Sequence, residues 1–171
     1  MNRLFAAMLL SFLPAMASAA IDETIRLKES VEINAPADKV WDIVGKYGDM
    51  SWHPAVAKTE VTSGKADEVG AKRVLTFKDG GGVNETLTGY DVERMLMKYE
   101  ITEGTLPVRD YSANIRVESA GDGKSVVTWR AMFYRKDPAN PGAPGQDDAA
   151  ARAAIEGVLK TGLANLKKVA E

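Results

Sequence analysis

The chain has 171 residues, a formal net charge of −2, one histidine and no cysteine. That length suits one domain around one core. The missing cysteines exclude disulfides and thiol chemistry, and a lone histidine leaves no ligand set for zinc or haem, so neither a metal nor another cofactor is expected. The charges form no basic run or stripe, so nucleic-acid binding has no electrostatic basis.

Residues 1–19 read as a secretory signal. Arg3 supplies the positive start, Leu4 to Leu13 is an apolar run too short to span a bilayer, and Ala17-Ser18-Ala19 is a small-residue cleavage pattern. Cleavage after Ala19 removes one cation and no acid, taking the net charge to −3. The expectation is an exported, periplasmic protein whose residues 20–171 form one domain, with no second apolar stretch of membrane-spanning length.

Ile25, Leu27, Val31 and Ile33 alternate with Arg26, Lys28, Ser30 and Glu32, predicting a half-buried strand. Asn34-Ala35-Pro36 ends it, and Val40, Trp41 and Val44 at helical spacing predict a short helix over 36–46, with one more turn over 50–53. Further strands are expected near 56–62, 72–78, 83–90, 96–103, 110–119 and 125–135, separated by Gly- and Asp-rich turns too short for parallel crossovers. Residues 136–146 hold three prolines and two glycines and predict an irregular loop. Asp147 can then cap a long helix over 149–170, whose Ile155, Val158, Leu159, Gly162, Leu163, Leu166 and Val169 form one apolar stripe. The fold class is α+β: a seven-stranded curved antiparallel sheet, two short helices after the first strand, and a terminal helix that covers the apolar face.

The segment Arg73 to Leu87 carries the sharpest deduction. If it turns about Asp79, Arg73 opposes Glu85, Leu75 opposes Val83 and Phe77 opposes Gly81. Alternation then places Arg73, Leu75, Phe77, Val83, Glu85 and Leu87 on the apolar, interior face. An ion pair among hydrophobic side chains either orients or protonates a ligand in a cavity, or is a plain cross-strand bridge at the sheet rim. Tyr99 and Tyr111 alternate with apolar neighbours and are expected inside, as core residues or ligand contacts, and Trp129 and Phe133 as core or cavity wall. His53 is expected at the mouth, partly exposed with a structural hydrogen bond, with a proton-shuttle or gating role as the alternative. Glu29 interrupts the apolar face of the first strand, as a second cavity carboxylate or an edge residue. No phosphate loop, nucleophile elbow or metal-ligand spacing is present.

The motifs Ile33-Asn-Ala-Pro36, Lys39-Val-Trp41-Asp42, Trp52-His53-Pro54-Ala55-Val56, Gly70-Ala-Lys-Arg73, Leu106-Pro-Val-Arg-Asp-Tyr111 and Ala154-Ile-Glu-Gly157 together resemble the START-like, or SRPBCC, superfamily. This superfamily includes polyketide cyclases and dehydrases, and lipid-transfer domains. The resemblance implies a helix-grip fold around a hydrophobic cavity that holds a small apolar or amphipathic ligand. The chain looks most like the exported MxaD group, which implies an accessory role beside a periplasmic redox protein of methanol oxidation. Arg73 and Glu85 also match the paired catalytic arginine and glutamate of plant lachrymatory-factor synthases. That match implies the alternative of a cofactor-free cyclase, dehydratase or isomerase, with Glu85 moving a proton and Arg73 supporting it. Strand alternation and position give the candidate ligand-binding residues as His53, Arg73, Leu75, Phe77, Val83, Glu85, Tyr99, Tyr111 and Trp129.

Overall fold

The computed structural model describes residues 23–139 and 141–171, so the expected signal segment 1–19 lies outside the described residues. Strand β1 (Ile25–Ile33) leads into helix α1 (Ala37–Val44), for which Pro36 is the N-cap residue. Six strands follow: β2 (Val56–Ser63), β3 (Lys72–Phe77), β4 (Gly82–Asp91), β5 (Leu96–Gly104), β6 (Val108–Gly121) and β7 (Lys124–Arg135). Helix α2 (Asp148–Ala170) ends the chain. The second short helix expected after α1 is instead a series of tight turns, with His53 N–H donating to the Met50 carbonyl and Val56 N–H to that of His53. Pro54 lies in this stretch, and a residue without an N–H cannot extend a helical ladder.

All strand pairs are antiparallel, in the order β1-β7-β6-β5-β4-β3-β2. The β3–β4 register is the one that the turn about Asp79 requires: Arg73 faces Glu85 and Leu75 faces Val83. Phe77 N–H donates to the Gly81 carbonyl at 2.8 Å, and positive-φ Gly80 carries the turn. Asp147 caps α2, its carboxylate accepting from Ala150 N–H at 2.8 Å.

One face of the sheet is apolar, and α2 closes it with Ala151, Ile155, Leu159, Leu163, Leu166 and Ala170. The stripe ends on Ala170 rather than on the expected Val169, which is 50% exposed. A four-residue step from Leu166 keeps the helical face turned to the sheet, whereas a three-residue step to Val169 drifts off it.

Close approach of helix and sheet depends on Gly162. A Cβ there would lie 2.5 Å from His53 Cδ2 and 2.8 Å from Trp129 Cζ3, which is inside contact distance. Gly157, one and a half turns earlier, is exposed and would meet nothing within 4 Å. The two glycines therefore separate propensity from packing. Gly157→Ala should gain up to about 1 kcal/mol from helix propensity. Gly162→Ala should lose about 1–3 kcal/mol by overpacking in spite of the same propensity gain. Urea-unfolding midpoints of the two variants measure this, and equal shifts in one direction would remove the packing role of Gly162.

Candidate functional site

Between sheet and helix lies a cavity of about 300 Å³, walled mostly by apolar side chains. Strands β3 and β4 contribute Leu75, Phe77, Val83 and Glu85, β5 and β6 contribute Tyr99, Ile101 and Tyr111, and β7 contributes Trp129. Helix α2 adds Ile155 and Val158, the turns before β2 add Met50 and His53, and β2 adds Val56. Lys78 and Asp79 at the hairpin tip and Leu106 of the β5–β6 loop also lie at the cavity, and the tip is tied to the turns by Lys78 N–H donating to the Ala55 carbonyl.

Glu85 is the one acidic residue among these that is buried. Its exposure is 4%, and that of Arg73 is 2%, so the pair is interior rather than at the rim. Arg73 Nε and Nη2 both reach Glu85 Oε2, at 2.7 and 2.6 Å. Convergence on one oxygen leaves Oε1 without a hydrogen bond to Arg73, on a residue that lines the cavity. The remaining donors of Arg73 are turned elsewhere: Nη1 to the Tyr47 carbonyl at 2.6 Å, and Nη2 to Met50 Sδ at 3.6 Å. Its guanidinium also sits over the Tyr47 ring, 4.2 Å from the centroid. Arg73 is thus not on the wall. It stands behind Glu85 and is tied to the turn after α1. Burial pushes the Glu85 carboxyl above the ordinary carboxylate range, and the adjacent guanidinium offsets part of that rise.

The aromatic residues are placed as their alternation implied. Tyr99, Tyr111, Trp129 and Phe133 are all buried. Trp129 Nε1–H donates to the Tyr99 hydroxyl at 3.0 Å, and Tyr111 stacks on Phe133 with centroids 5.9 Å apart. Burial raises the pKa of both tyrosines, so each stays a neutral phenol.

His53 differs from expectation: it is 2% exposed. The cause is long-range, because α2 presses on it at Gly162 and the rings of Trp52 and Trp129 flank it edge-on. Its Nε2 lies 3.0 Å from the Val158 carbonyl, so Nε2 carries the proton, and Nδ1 accepts from Ala55 N–H at 3.2 Å. Glu29 takes the edge position: it is half-buried and lies 4.0 Å from Lys160 of α2, away from the cavity wall.

The stripe of α2 marked Ile155 and Val158 as buried without marking them as cavity wall. Met50 and Ile101 were not singled out from sequence at all. Ile101 alternates with Tyr99 and so was recoverable, whereas Met50 is placed only by the fold of its turn. Among the described residues, no group of three or more His, Cys, Asp or Glu could hold a metal ion, and no helix is long and apolar enough to cross a membrane.

Residues 24–171 match the family of polyketide cyclase / dehydrase and lipid transport proteins. The chain belongs to this family. Solved structures with the same fold include an uncharacterized protein from Bacillus thuringiensis, 24% identical with a TM-score of 0.73, covering 85% of this chain and 98% of its own. A protein from Thermobifida fusca is 27% identical with a TM-score of 0.70, covering 85% and 92%. The Zhui aromatase/cyclase from Streptomyces is 18% identical with a TM-score of 0.69, covering 86% and 94%. No curated protein matches the chain. Family and fold make this a ligand-binding or cyclase-type SRPBCC protein.

Two outcomes are expected from the polar groups. Glu85→Leu or Arg73→Met alone should cost about 3–5 kcal/mol, because each strands a buried partner, whereas the two changes together should recover most of that loss. Denaturant melts of the three proteins check this, and unchanged single variants would contradict the buried pair. The second outcome concerns His53, which burial holds below its ordinary pKa. The unfolded chain takes up a proton that the folded one refuses. The stability from neutral His53 is therefore complete above about pH 6.5 and declines as pH falls through that value. Glu85, with its raised pKa, contributes with the opposite sign. The His53 part is read as the difference between wild-type and His53→Asn profiles from about pH 7.5 to about pH 5.5. Parallel profiles would count against it.

Proposed function

We propose that this protein binds a small, mainly apolar molecule in the cavity, with one polar group of that molecule turned to Glu85. The carrying observation is a buried, partnered carboxylate on the wall of an otherwise apolar space, whose volume is at the small end of ordinary small-molecule sites. Part of the proposal is that the protein works in the periplasm after loss of residues 1–19, which rests on the sequence pattern of that segment. The resemblance to the MxaD group extends the reading to an accessory role beside a redox protein of methanol or alcohol oxidation, and that extension draws on the motifs alone.

A second reading is a cofactor-free cyclase, dehydratase or isomerase. What favours it is the combination at Glu85 of burial, a raised proton affinity and access to the cavity, which suits a general base or acid. The Zhui aromatase/cyclase shares the fold and lends the reaction type as an analogy. Arg73 would act there through Glu85 rather than on the substrate, since its donors are committed to Glu85, Tyr47 and Met50.

Native mass spectrometry of the protein purified from its own host tests the first reading. A co-purifying molecule of small mass is expected, and Val83→Phe, which fills the wall opposite Leu75, should lose it. A wild-type protein that emerges empty and binds no apolar probe would count against the cavity as a binding site. Glu85→Gln separates the readings: a binding protein keeps its ligand at altered affinity, whereas an enzyme retains the ligand unconverted.

A further inference from the structure

The outer face of the sheet, turned away from α2 and the cavity, carries a charge arrangement that no stretch of the sequence shows. Across β1, β7, β6, β5 and β4 the register sets Lys28, Arg130, Asn114, Lys98 and Gly89 in one row. Lys28 and Arg130 stand directly opposite each other on neighbouring strands, and like charges so placed destabilise a sheet. Arg26, two residues before Lys28, points to the same side. All four cations are exposed, and among the described residues none has a hydrogen bond or ion pair from its side chain. Arg116, in the adjoining row opposite Thr128, is by contrast paired with Glu118 at 3.2 Å.

This face is also hollow. A groove of about 510 Å³ runs over the row, lined by all four cations and by no carboxylate. Ser112 and Asn114 of β6 form a half-buried floor, with the longer Lys98 and Arg130 flanking Asn114 on either side. Beyond β5, Gly89 leaves room for the Lys98 stem, since a Cβ there would lie 3.1 Å from Lys98 Cδ. Glu100, opposite Ser112 in the next row, lines a different hollow.

We infer that this groove binds a soluble molecule through a phosphate-type oxyanion of two or more negative charges. The inference goes beyond the cavity reading and does not depend on it, because the two sites lie on opposite faces of the sheet. Multiple charge is required because Lys28, Arg130 and Lys98 share the row with no acid among them. An oxyanion suits the remaining chemistry. Arg130 presents a planar fork of donors, and the Asn114 amide and the Thr88 and Ser112 hydroxyls add neutral ones. The recessed floor favours a group that enters the groove over a flat anionic surface, which would meet only the long side chains. A bound anion relieves the repulsion between Lys28 and Arg130, so strain in the empty protein reappears as affinity.

Isothermal titration with sodium pyrophosphate at low ionic strength tests the groove. Saturable binding is expected, at least about 10-fold weaker in Lys28→Gln/Arg130→Gln. The comparison variant Lys39→Gln/Lys46→Gln, which removes two exposed lysines outside the groove, should bind as the wild type does. The strain is read separately from thermal midpoints. Without anion, Arg130→Gln should melt roughly 1–3 °C above the wild type. Pyrophosphate should raise the wild-type midpoint and leave that of Lys28→Gln/Arg130→Gln unchanged. Equal weakening in the two double variants means an adventitious ion only, and the inference fails. An Arg130→Gln midpoint at or below that of the wild type would remove the strain and the case built on it. If the wild type ignores pyrophosphate but sediments with phosphatidylglycerol vesicles, the face serves a membrane surface and the groove ligand is wrong. If it binds neither, the groove is no anion site.

Discussion

Two opposite charges lie out of water between the sheet and the turn that follows α1, and much of the surrounding architecture serves to keep them there. Arg73 cannot be satisfied by Glu85 alone, so the chain brings the Tyr47 carbonyl, the Tyr47 ring and the Met50 thioether to the same guanidinium. These contacts fix the 46–55 segment against β3, and that segment in turn delivers His53 to α2. The charge pair thus links the cavity wall to the turns that border it. Such a pair is a poor device for stability alone, since apolar side chains of equal size often do as well. Its placement is better explained by the carboxylate that it holds on the wall of an apolar space.

The polar content of the cavity is correspondingly sparse and directional. Glu85 offers an acceptor or, when protonated, a donor, and its proton affinity is raised by burial. Tyr99, whose oxygen accepts from Trp129 Nε1–H, keeps its own hydroxyl proton as a donor. His53 has both ring nitrogens engaged by backbone groups and has no free lone pair or proton for a ligand. A lone buried histidine beside a pocket invites a catalytic assignment, but here its hydrogen bonds mark it as a fastener between the turns and the terminal helix.

How much of this could be read from the chain depended on the range of the interaction. The Arg73–Glu85 register is set by a short hairpin whose alternation and turn lie within fifteen residues, and it was legible in full. The seven strands and the capped helix follow from alternation, turn residues and Asp147 in the same local way. What escaped is long-range. The burial of His53 depends on a glycine more than a hundred residues later, and the remaining donors of Arg73 are taken by groups more than twenty residues away. The end of the α2 stripe was missed for a different reason, because periodicity alone does not distinguish a three-residue from a four-residue step at the last turn.

The strand order has a temporal meaning. β1 is made first of the described strands, yet among the described residues it pairs with β7 alone, with Ile25 opposite Phe133 and Ile33 opposite Ser125. A chain emerging from a ribosome therefore carries an orphan strand for almost the whole of its synthesis. β2 to β6 can meanwhile zip up by successive hairpins, but the two ends of the chain must find each other last, at a loop-closure cost that rises with the intervening length. Until then Trp129 has no helix over it and the cavity does not exist as an enclosed space. Any molecule present at that moment meets an open apolar trough rather than a closed chamber.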